Sequence, residues 1–98
     1  MTSPASAVYV ISVAATMVGS HPQTLRTYER LGLVRPARTS GGIRLYSLED
    51  IAVLQSIAAM SAAGISLPGI LRIFELEAQV TSLRSEVSRL SGELRNLS

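Results

Sequence analysis

The sequence contains no cysteine and only one histidine, His21. Without thiols the chain can form no disulfide, thiolate metal site or cysteine nucleophile, and a single imidazole cannot hold a metal ion alone. His21 has no nucleophile or carboxylate at a catalytic spacing, so we interpret it as a helix-capping residue. The stretch GISLPG lacks the Gly-Lys-Ser/Thr ending of a phosphate-binding loop. The sequence therefore indicates no enzyme, no metal site and no cofactor.

Long hydrophobic runs are also absent. The apolar stretch over residues 7–18 is too short to span a bilayer, and no basic residue precedes it, because the first arginine is Arg26. We therefore expect a cytoplasmic protein with no membrane partner. A chain of 98 residues can form one domain of modest core, or a smaller domain with an appended helix.

Positive charge is concentrated in one segment of the chain. Residues 20–46 carry five arginines and one carboxylate, Glu29, for a net charge of +4. Residues 1–19 carry no charged side chain, and residues 47–98 carry four arginines and six acidic residues, for a net charge of −2. This distribution indicates that residues 20–46 form a basic region, which suits a polyanionic partner.

Two short helices are predicted in the first third of the chain. Residues 1–8 are small and polar, and we expect a flexible N-terminus there. Ser12 is a candidate N-cap for the first helix, and Gly19 is placed to end it. Pro22 suits the first position of a second helix, which Gly32 would stop. Two helices joined by a tight turn that contains glycine are typical of a helix-turn-helix.

The second helix is predicted to have a core face and a polar face. At about 100° per residue, Tyr28 and Glu29 fall within about 60° of Leu25, on the core side. Arginine can bind guanine, glutamine can bind adenine, and threonine can meet a phosphate or a thymine methyl. Side chains of these types occupy the opposite face of the helix: Gln23, Arg26, Thr27 and Arg30. The alternative interpretation is that this face is an ordinary solvated helix surface.

A β-hairpin is predicted directly after this helix. The period of two in a strand puts Arg44 and Tyr46 on one side, and Arg38 lies at the shoulder of the hairpin. A hairpin that carries arginines after a helix-turn-helix is typical of a wing that grips the DNA backbone, whereas a structural hairpin with solvated arginines is the alternative. Two extended segments flank a glycine-rich turn: residues 33–37, the turn at 39–42, and residues 43–46.

A third helix is predicted to begin at a capping signature. Ser47 is followed three residues later by Asp50, and Gly64 is placed to end the helix. Apolar side chains occupy two nearly opposite faces, so this helix should be covered on both sides, by the last helix or by a second subunit. The two faces are Leu48, Ile51, Leu54 and Ala58, and Val53, Ile57 and Met60.

The C-terminal segment carries a heptad pattern. Ser66 can cap a short helix, and from Ile73 onward apolar residues recur at alternating steps of three and four. This seam predicts a coiled coil and a homodimer, and a single helix packed on its own domain is the alternative. β-Branched residues at position a with leucine at d are typical of parallel two-stranded coils. The seam consists of Ile73, Leu76, Val80, Leu83, Val87, Leu90, Leu94 and Leu97.

Several spaced motifs resemble the MerR family of transcription regulators. They are HPQTLRTYERLGLV, GGIRLYS, SLEDIAVL and GISLPGI before the long terminal helix, and they run in order from about Val10 to the C-terminus. Within the family, the segment from HPQTLR to PARTSGG is most similar to the HspR-type heat-shock repressors.

The resemblance implies a mainly α fold. A winged helix-turn-helix domain with a small β-hairpin wing would occupy residues 9–72, and a long coiled-coil dimerisation helix would occupy residues 73–98. The resemblance also implies an antiparallel homodimer that binds an inverted repeat in double-stranded promoter DNA. The residues carried over by motif are Gln23, Thr24, Arg26, Thr27, Tyr28 and Arg30 in the recognition helix, and Arg38, Arg44 and Tyr46 in the wing.

The HspR-type branch adds an expected function and partner. Its members repress chaperone operons in the stress response, with a DnaK-type chaperone as co-repressor. Two other functions stay open at this point. An architectural or excisionase-like protein could use the same winged domain to bend DNA, and a coiled-coil adaptor could bind protein through its apolar seam. The adaptor leaves the arginine-rich segment unexplained.

Overall fold

The computed structural model describes residues 8–97, which divide between Ile65 and Ser66 into two compact units. Within that range the fold is mainly helical with a small antiparallel sheet, as the sequence predicted. The expected flexible segment at residues 1–8 lies outside the described residues, except for Val8. The elements are β1 (Val8–Tyr9), α1 (Ile11–Val18), α2 (Pro22–Arg30), β2 (Ala37–Arg38), β3 (Arg44–Ser47) and α3 (Leu48–Ala62) in the first unit, and α4 (Leu67–Leu97) in the second.

Helix α1 begins before its predicted cap. Val10 holds the N-cap position without a side-chain hydrogen bond, so the assignment of Ser12 as the cap is wrong. Ile11 packs against the core, and this contact favours its inclusion in the first turn of α1. Ser12 lies within the helix, where its carbonyl accepts a hydrogen bond from Thr16 Oγ1 at 3.0 Å. Gly19 ends the helix as predicted, in the left-handed region at φ +68°, which a residue with a Cβ seldom adopts.

Helix α2 follows the sequence prediction closely. His21 caps its N-terminus, because Nδ1 accepts a hydrogen bond from the Gln23 backbone N–H at 3.0 Å. Pro22 occupies the first turn, where a backbone N–H would have no helical partner. The helix ends at Arg30 with Leu31 as its C-cap, and Gly32 follows at φ +81°.

The three strands form one antiparallel sheet in the order β1–β3–β2. Tyr9 pairs with Tyr46 and Ala37 pairs with Leu45. The hairpin was predicted, but its first strand is only Ala37–Arg38 rather than residues 33–37. Leu33, Val34 and Pro36 in that segment are buried, and Pro36 has no N–H for the ladder.

The core of the first unit is small and lies under α1, α2, α3 and the sheet. Ala14 and Ala15 are fully buried, and their small side chains let α1 lie close to both α2 and α3. Leu25 is the fully buried residue of α2, and its burial stabilises the fold by about 2 kcal/mol. The remaining core members are Val34, Tyr46, Ile51 and Leu54.

Helix α3 starts at the predicted capping box. Ser47 Oγ accepts a hydrogen bond from the Asp50 N–H at 3.1 Å, and Asp50 Oδ2 accepts one from the Ser47 N–H at 3.0 Å. Gly64 follows the helix at φ +89°. Ile57, on the second apolar face of α3, is buried as fully as Leu54 on the first, whereas Val53 and Met60 are half-buried.

Helix α4 forms the whole second unit. It runs for 31 residues without a break, which is about 46 Å at 1.5 Å per residue. Ser66 Oγ accepts a hydrogen bond from the Gly69 N–H at 3.3 Å at its start. The short helix predicted at Leu67 and the heptad segment from Ile73 are therefore one element. Across residues 8–97, no helix combines the length and the apolar character that crossing a membrane requires.

Candidate nucleic-acid interface

The exposed face of α2 is set by the burial of Leu25. Because Leu25 is completely buried, the rotation of the helix about its axis is fixed, and Gln23, Arg26 and Arg30 are exposed. The polar face computed from the sequence is therefore the face that meets solvent. Thr27 is half-buried, and its Oγ1 donates to the Gln23 carbonyl at 3.1 Å.

Two of the exposed side chains on α2 lie against each other. Arg26 Nη1 donates to Gln23 Oε1 at 3.4 Å, a long hydrogen bond that orients both groups. The other guanidinium donors of Arg26 stay available, and so does the Gln23 amide. Arginine and glutamine in this arrangement present the donors and acceptors that read guanine and adenine edges in a major groove.

Thr24 and Tyr28 occupy the edges of this face. Thr24 is half-buried in the first turn of α2, where its backbone N–H donates to the His21 carbonyl at 2.9 Å. Tyr28 packs against the core and is also half-buried. The exposed residues Gln23, Arg26 and Arg30 thus form the centre of the face, and these two residues border it.

Glu29 joins α2 to the hairpin. Its Oε1 accepts a hydrogen bond from Arg44 Nε at 2.6 Å, and its Oε2 accepts one from Arg38 Nη2 at 3.1 Å. The Glu29 side chain is 20% exposed and that of Arg44 is 25% exposed. Arg38 Nη1 also donates to the Gly42 carbonyl at 3.1 Å, which holds the turn of the hairpin. The carboxylate therefore fixes the position of the hairpin against α2.

The contacts with Arg44 and Arg38 also hold the pKa of Glu29 below its usual value. The hydrogen bond from Arg44 has the largest effect, and the positive charges of Arg44 and Arg38 add to it. Partial burial of the carboxylate acts in the opposite direction and is outweighed. Sequence reasoning placed Glu29 on the core side and gave it no role. The available signal was that it is the only carboxylate among five arginines.

The structure contradicts the assignment of Tyr46 to the DNA surface. Tyr46 is 0% exposed, and its hydroxyl is buried with no hydrogen-bond partner among residues 8–97. Burial raises the pKa of the hydroxyl, and the negative charge of Glu29 adds to the rise. The period of two correctly put Tyr46 on the side of Arg44, but it gave no information on which residues of that side lie in the core.

The arginines of the basic segment fall into two groups. Arg38 and Arg44 are paired with Glu29. Arg26, Arg30 and Arg35 are exposed, and they make no ion pair with any carboxylate of residues 8–97. Arg35, between α2 and β2, was not assigned to the site from the sequence. These three arginines give the surface a positive charge that no carboxylate of the described chain neutralises.

A metal site finds no support in the described range. Residues 8–97 contain no group of three or more histidine, cysteine, aspartate or glutamate side chains that could hold an ion. The surface around α2 and the wing consists instead of exposed arginine donors, one glutamine amide and one carboxylate that links two elements. This arrangement fits the recognition of a polyanion whose edges carry hydrogen-bonding groups.

The heptad residues of α4 form a second exposed surface. Ile73 is half-buried, and each of the others is exposed, with Leu83 at 64% and Val87 at 62%. A stripe of large apolar side chains in solvent is typical of a surface that another molecule covers. The exposed members are Leu76, Val80, Leu83, Val87, Leu90, Leu94 and Leu97.

Comparison with known proteins agrees with this geometry. A family model described as the MerR HTH family regulatory protein matches residues 9–77. A protein of Streptomyces coelicolor that bears the name "Putative heat shock protein HspR" is 53% identical over 88 residues, which are 89% of this chain. The present chain spans 58% of the length of that relative.

Two solved structures have a similar fold. A MerR family transcriptional regulator from Bacillus cereus has a TM-score of 0.65 at 29% identity, with 90% of this chain and 75% of that chain covered. HiNmlR, a MerR family regulator lacking the sensor domain and bound to promoter DNA, also has a TM-score of 0.65, with 90% of this chain and 79% of that chain covered. Its identity is 24%, so the likeness is one of fold.

Proposed function

This chain belongs to the MerR family of helix-turn-helix regulatory proteins, and on that premise we propose that it is a homodimeric, sequence-specific DNA-binding repressor. Its target is an inverted repeat in the promoters of heat-shock or chaperone genes. The proposal assigns DNA binding to residues 9–72 and dimerisation to residues 73–98. In this proposal the partner is double-stranded DNA and the protein acts in the cytoplasm. Its role is that of a regulator rather than an enzyme.

The exposed face of α2 is the observation that carries the proposal. Gln23, Arg26 and Arg30 face solvent on a helix whose rotation is fixed by the buried Leu25. Side chains of these types distinguish base pairs in the major groove, where an α-helix fits. A row of donors held in one orientation suits sequence readout better than a loose basic tail does.

The wing supplies phosphate contacts beside this helix. Arg38 and Arg44 lie next to α2 because Glu29 binds both of them. Each guanidinium has more donors than Glu29 engages, so it can reach a phosphate while the link persists. Arg35 is exposed near the same hairpin and can add a further contact. Such contacts fix the register of the protein on DNA without reading sequence.

The exposed heptad seam of α4 supports the dimer. Seven large apolar side chains on one stripe of a long helix are exposed in the single chain, and pairing with a second copy would remove them from water. Two copies of the recognition helix then read two half-sites, so the operator is expected to be an inverted repeat.

The regulated genes and the co-repressor are proposed from the similarity to HspR. That relative is a heat shock protein by name and is 53% identical to this chain. We extend to this chain a role in the stress response, with a DnaK-type chaperone as a co-repressor that links DNA binding to the supply of free chaperone.

Selection of bound sequences from a random duplex pool tests the proposal. The purified 98-residue chain is used at near-physiological salt, and Arg26→Ala serves as the site variant with Arg89→Ala, on α4, as the matched control. We expect an inverted repeat to be enriched by the parent chain and by Arg89→Ala, but not by Arg26→Ala.

The selection is repeated with a purified DnaK-type chaperone. Enrichment only in its presence keeps the repressor proposal and makes the chaperone essential. No enrichment in either case, from a chain that is dimeric in sedimentation, contradicts DNA recognition and favours a coiled-coil adaptor. Enrichment of bent or flexible sequences without a repeat favours an architectural protein.

A further inference from the structure

We propose that Glu29 is a positioning residue that determines how strongly the protein prefers its own DNA site over random DNA. It acts through two residues of the hairpin strands, Arg38 and Arg44, and not by contact with a base. These two are the hairpin arginines. The inference rests on the proposed function, because it assigns a role within the DNA binding proposed above.

Three elements of the first unit meet at this one carboxylate. Glu29 lies on α2, Arg38 on β2 and Arg44 on β3. Oε1 of Glu29 accepts hydrogen bonds from Arg44 Nε at 2.6 Å and from Arg38 Nη2 at 3.3 Å, and Oε2 accepts one from Arg38 Nη2 at 3.1 Å. Because both oxygens are engaged, the carboxylate sets the orientation of two guanidinium groups relative to α2. The hairpin arginines are therefore ordered in the free protein.

Arg38 extends this link to the tip of the hairpin. Its Nη1 donates to the Gly42 carbonyl at 3.1 Å. The turn itself is closed by the Gly42 N–H, which donates to the Thr39 carbonyl at 2.9 Å, and by the Ile43 N–H, which donates to Thr39 Oγ1 at 3.1 Å. One side chain thus joins the carboxylate on α2 to the turn between the two strands.

The contacts of Glu29 are less exposed than the ion pairs on α4. The side chain of Glu29 is 20% exposed and that of Arg44 is 25% exposed, whereas the figures for Arg72 and Glu75 are 61% and 62%. Water and salt screen exposed pairs strongly and partly buried pairs less. The link between α2 and the hairpin therefore persists at the salt concentrations at which DNA binding is measured.

Strand β3 is held in place without Glu29. It pairs with β1, and its Tyr46 is completely buried in the core. Strand β2, in contrast, has only two residues, and both are exposed. Loss of the carboxylate therefore loosens β2 and the hairpin arginines while the core of the first unit stays formed. The positioning role can thus be measured apart from folding.

The hairpin arginines keep donors for phosphate while Glu29 holds them. Within residues 8–97, Arg44 contacts Glu29 through Nε alone, so its two terminal amino groups remain. Each terminal amino group of Arg38 has a second hydrogen beside the one that it donates to Glu29 or to the Gly42 carbonyl. The distance of these donors from α2 is fixed, and so is the set of phosphates that they reach when α2 lies in a groove.

Donors in fixed positions favour the site that α2 reads. On that site the groove contacts and the phosphate contacts form together, and little side-chain freedom is lost because the donors are already ordered. On random DNA α2 has no preferred register, and arginines held to α2 cannot follow the phosphates. Arginines released from Glu29 would bind phosphates of any duplex alike. The carboxylate therefore raises the preference for the selected site.

The charge of Glu29 gives its role a distinctive signature. It is the only carboxylate among residues 20–46, and its negative charge lowers the attraction of this segment for every duplex. Removing the charge therefore strengthens the binding of random DNA. Loss of structure has the opposite effect, because an unfolded domain binds every duplex less well.

Glu29→Gln tests the proposal in binding titrations at several salt concentrations. The two probes are the duplex that carries the selected inverted repeat and a scrambled duplex of the same composition. Affinity for the scrambled duplex should rise by about threefold to tenfold at near-physiological salt, and its dependence on salt should steepen by about 0.9 in slope. The ratio of selected to scrambled affinity should fall by about tenfold, because the donors are no longer ordered.

Glu29→Asp separates position from charge. Aspartate keeps the negative charge but is one methylene too short to keep both arginine contacts. Affinity for the scrambled duplex should therefore stay close to that of the parent, while affinity for the selected duplex falls by about tenfold. Glu75→Gln, on α4, removes the same charge outside the residues proposed to bind DNA, and it should leave the ratio unchanged.

The two affinities together decide the outcome. A ratio that stays at the parent value in both Glu29 variants overturns the proposal. An equal loss on both duplexes, in proportion to the unfolded fraction measured by circular dichroism, also overturns it and leaves Glu29 a structural residue only.

The order of the hairpin arginines can be measured without DNA. In ¹⁵N relaxation the Nε–H of Arg44 should be nearly as rigid as the backbone in the parent chain, with an order parameter of about 0.8, and should fall below about 0.6 in Glu29→Gln. Arg30, which makes no ion pair within residues 8–97, is the mobile reference. An Arg44 as mobile as Arg30 in the parent chain overturns the positioning role.

These results also separate the role of Glu29 from the proposed function. A parent chain that prefers the selected duplex, with variants that keep this preference, overturns the role of Glu29 alone. A parent chain that shows no preference for any duplex overturns the proposed function, and the role of Glu29 fails with it.

Discussion

At the scale of single residues, Glu29 has the largest structural consequence. One carboxylate accepts hydrogen bonds from both arginines of the hairpin strands, Arg38 and Arg44, and holds them beside α2. The sequence shows this carboxylate within the basic segment, but the contact joins residues 9 and 15 positions apart in the chain. Such a contact depends on how the hairpin folds back on α2, which no local pattern in the sequence encodes.

Glu29→Gln should destabilise the first unit by about 1 kcal/mol, because two partly exposed ion pairs are lost. Folding lowers the pKa of Glu29 from its ordinary value of 4.5, so its contribution is present above that pH. The contribution is lost as the pH falls through the folded pKa. Thermal unfolding of both chains from pH 7 to pH 3 should show a gap in Tm that closes in acid. Glu75→Gln, which breaks an exposed pair on α4, is the control and should change Tm little. A gap that is constant with pH contradicts the ion-pair explanation.

Tyr46→Phe tests the correction of the DNA-binding residues. The hydroxyl of Tyr46 is buried without a partner, so its removal should leave stability unchanged or raise it by up to about 1 kcal/mol. DNA affinity should stay the same, because the residue does not reach the surface. Urea unfolding and a binding titration on the same protein measure both. If the variant lost DNA affinity at unchanged stability, the correction would be wrong and Tyr46 would be a DNA-binding residue.

At the scale of elements, most helix ends and the hairpin of β2 and β3 could be predicted, whereas strand β1 could not. Gly19, Gly32 and Gly64 all follow helices in the left-handed region, and the Ser47–Asp50 capping box forms as expected. These signals are local, because each depends on the backbone conformation of one or a few residues. Strand β1 has only two residues, Val8–Tyr9, and no alternation that a pattern could detect.

The two elements of the interface should respond differently to mutation. Arg26→Ala should weaken binding to the selected site by about 1 to 3 kcal/mol and relax sequence preference, if Arg26 reads a guanine. Arg44→Ala removes a wing contact and frees the charge of Glu29 near the DNA backbone. It should therefore weaken all sequences alike and flatten the dependence on salt.

Binding titrations on the selected duplex and on a scrambled duplex, each at several salt concentrations, separate the two roles. Arg89→Ala on α4 controls for the loss of one positive charge elsewhere in the chain. Equal losses on both duplexes for Arg26→Ala and Arg44→Ala would contradict the division between a reading helix and a positioning wing.

At the scale of the whole molecule, the uneven charge and the exposed seam define two surfaces with different partners. The arginines of residues 20–46 lie in the first unit, and the heptad seam lies on α4 in the second. The sequence revealed both surfaces, because net charge and heptad spacing are properties of the chain itself. Which arginines of residues 20–46 make no ion pair within the described part of the chain depends on tertiary contacts, and they are Arg26, Arg30 and Arg35.

The central claim is that two copies of this chain read one inverted repeat together. Sedimentation of the full chain with the selected duplex, and with a duplex that carries one half-site only, measures stoichiometry and affinity in the same experiment. The account predicts two chains on the full duplex and binding to the half-site that is weaker by at least about two orders of magnitude. A single chain bound to both duplexes with equal affinity would contradict it.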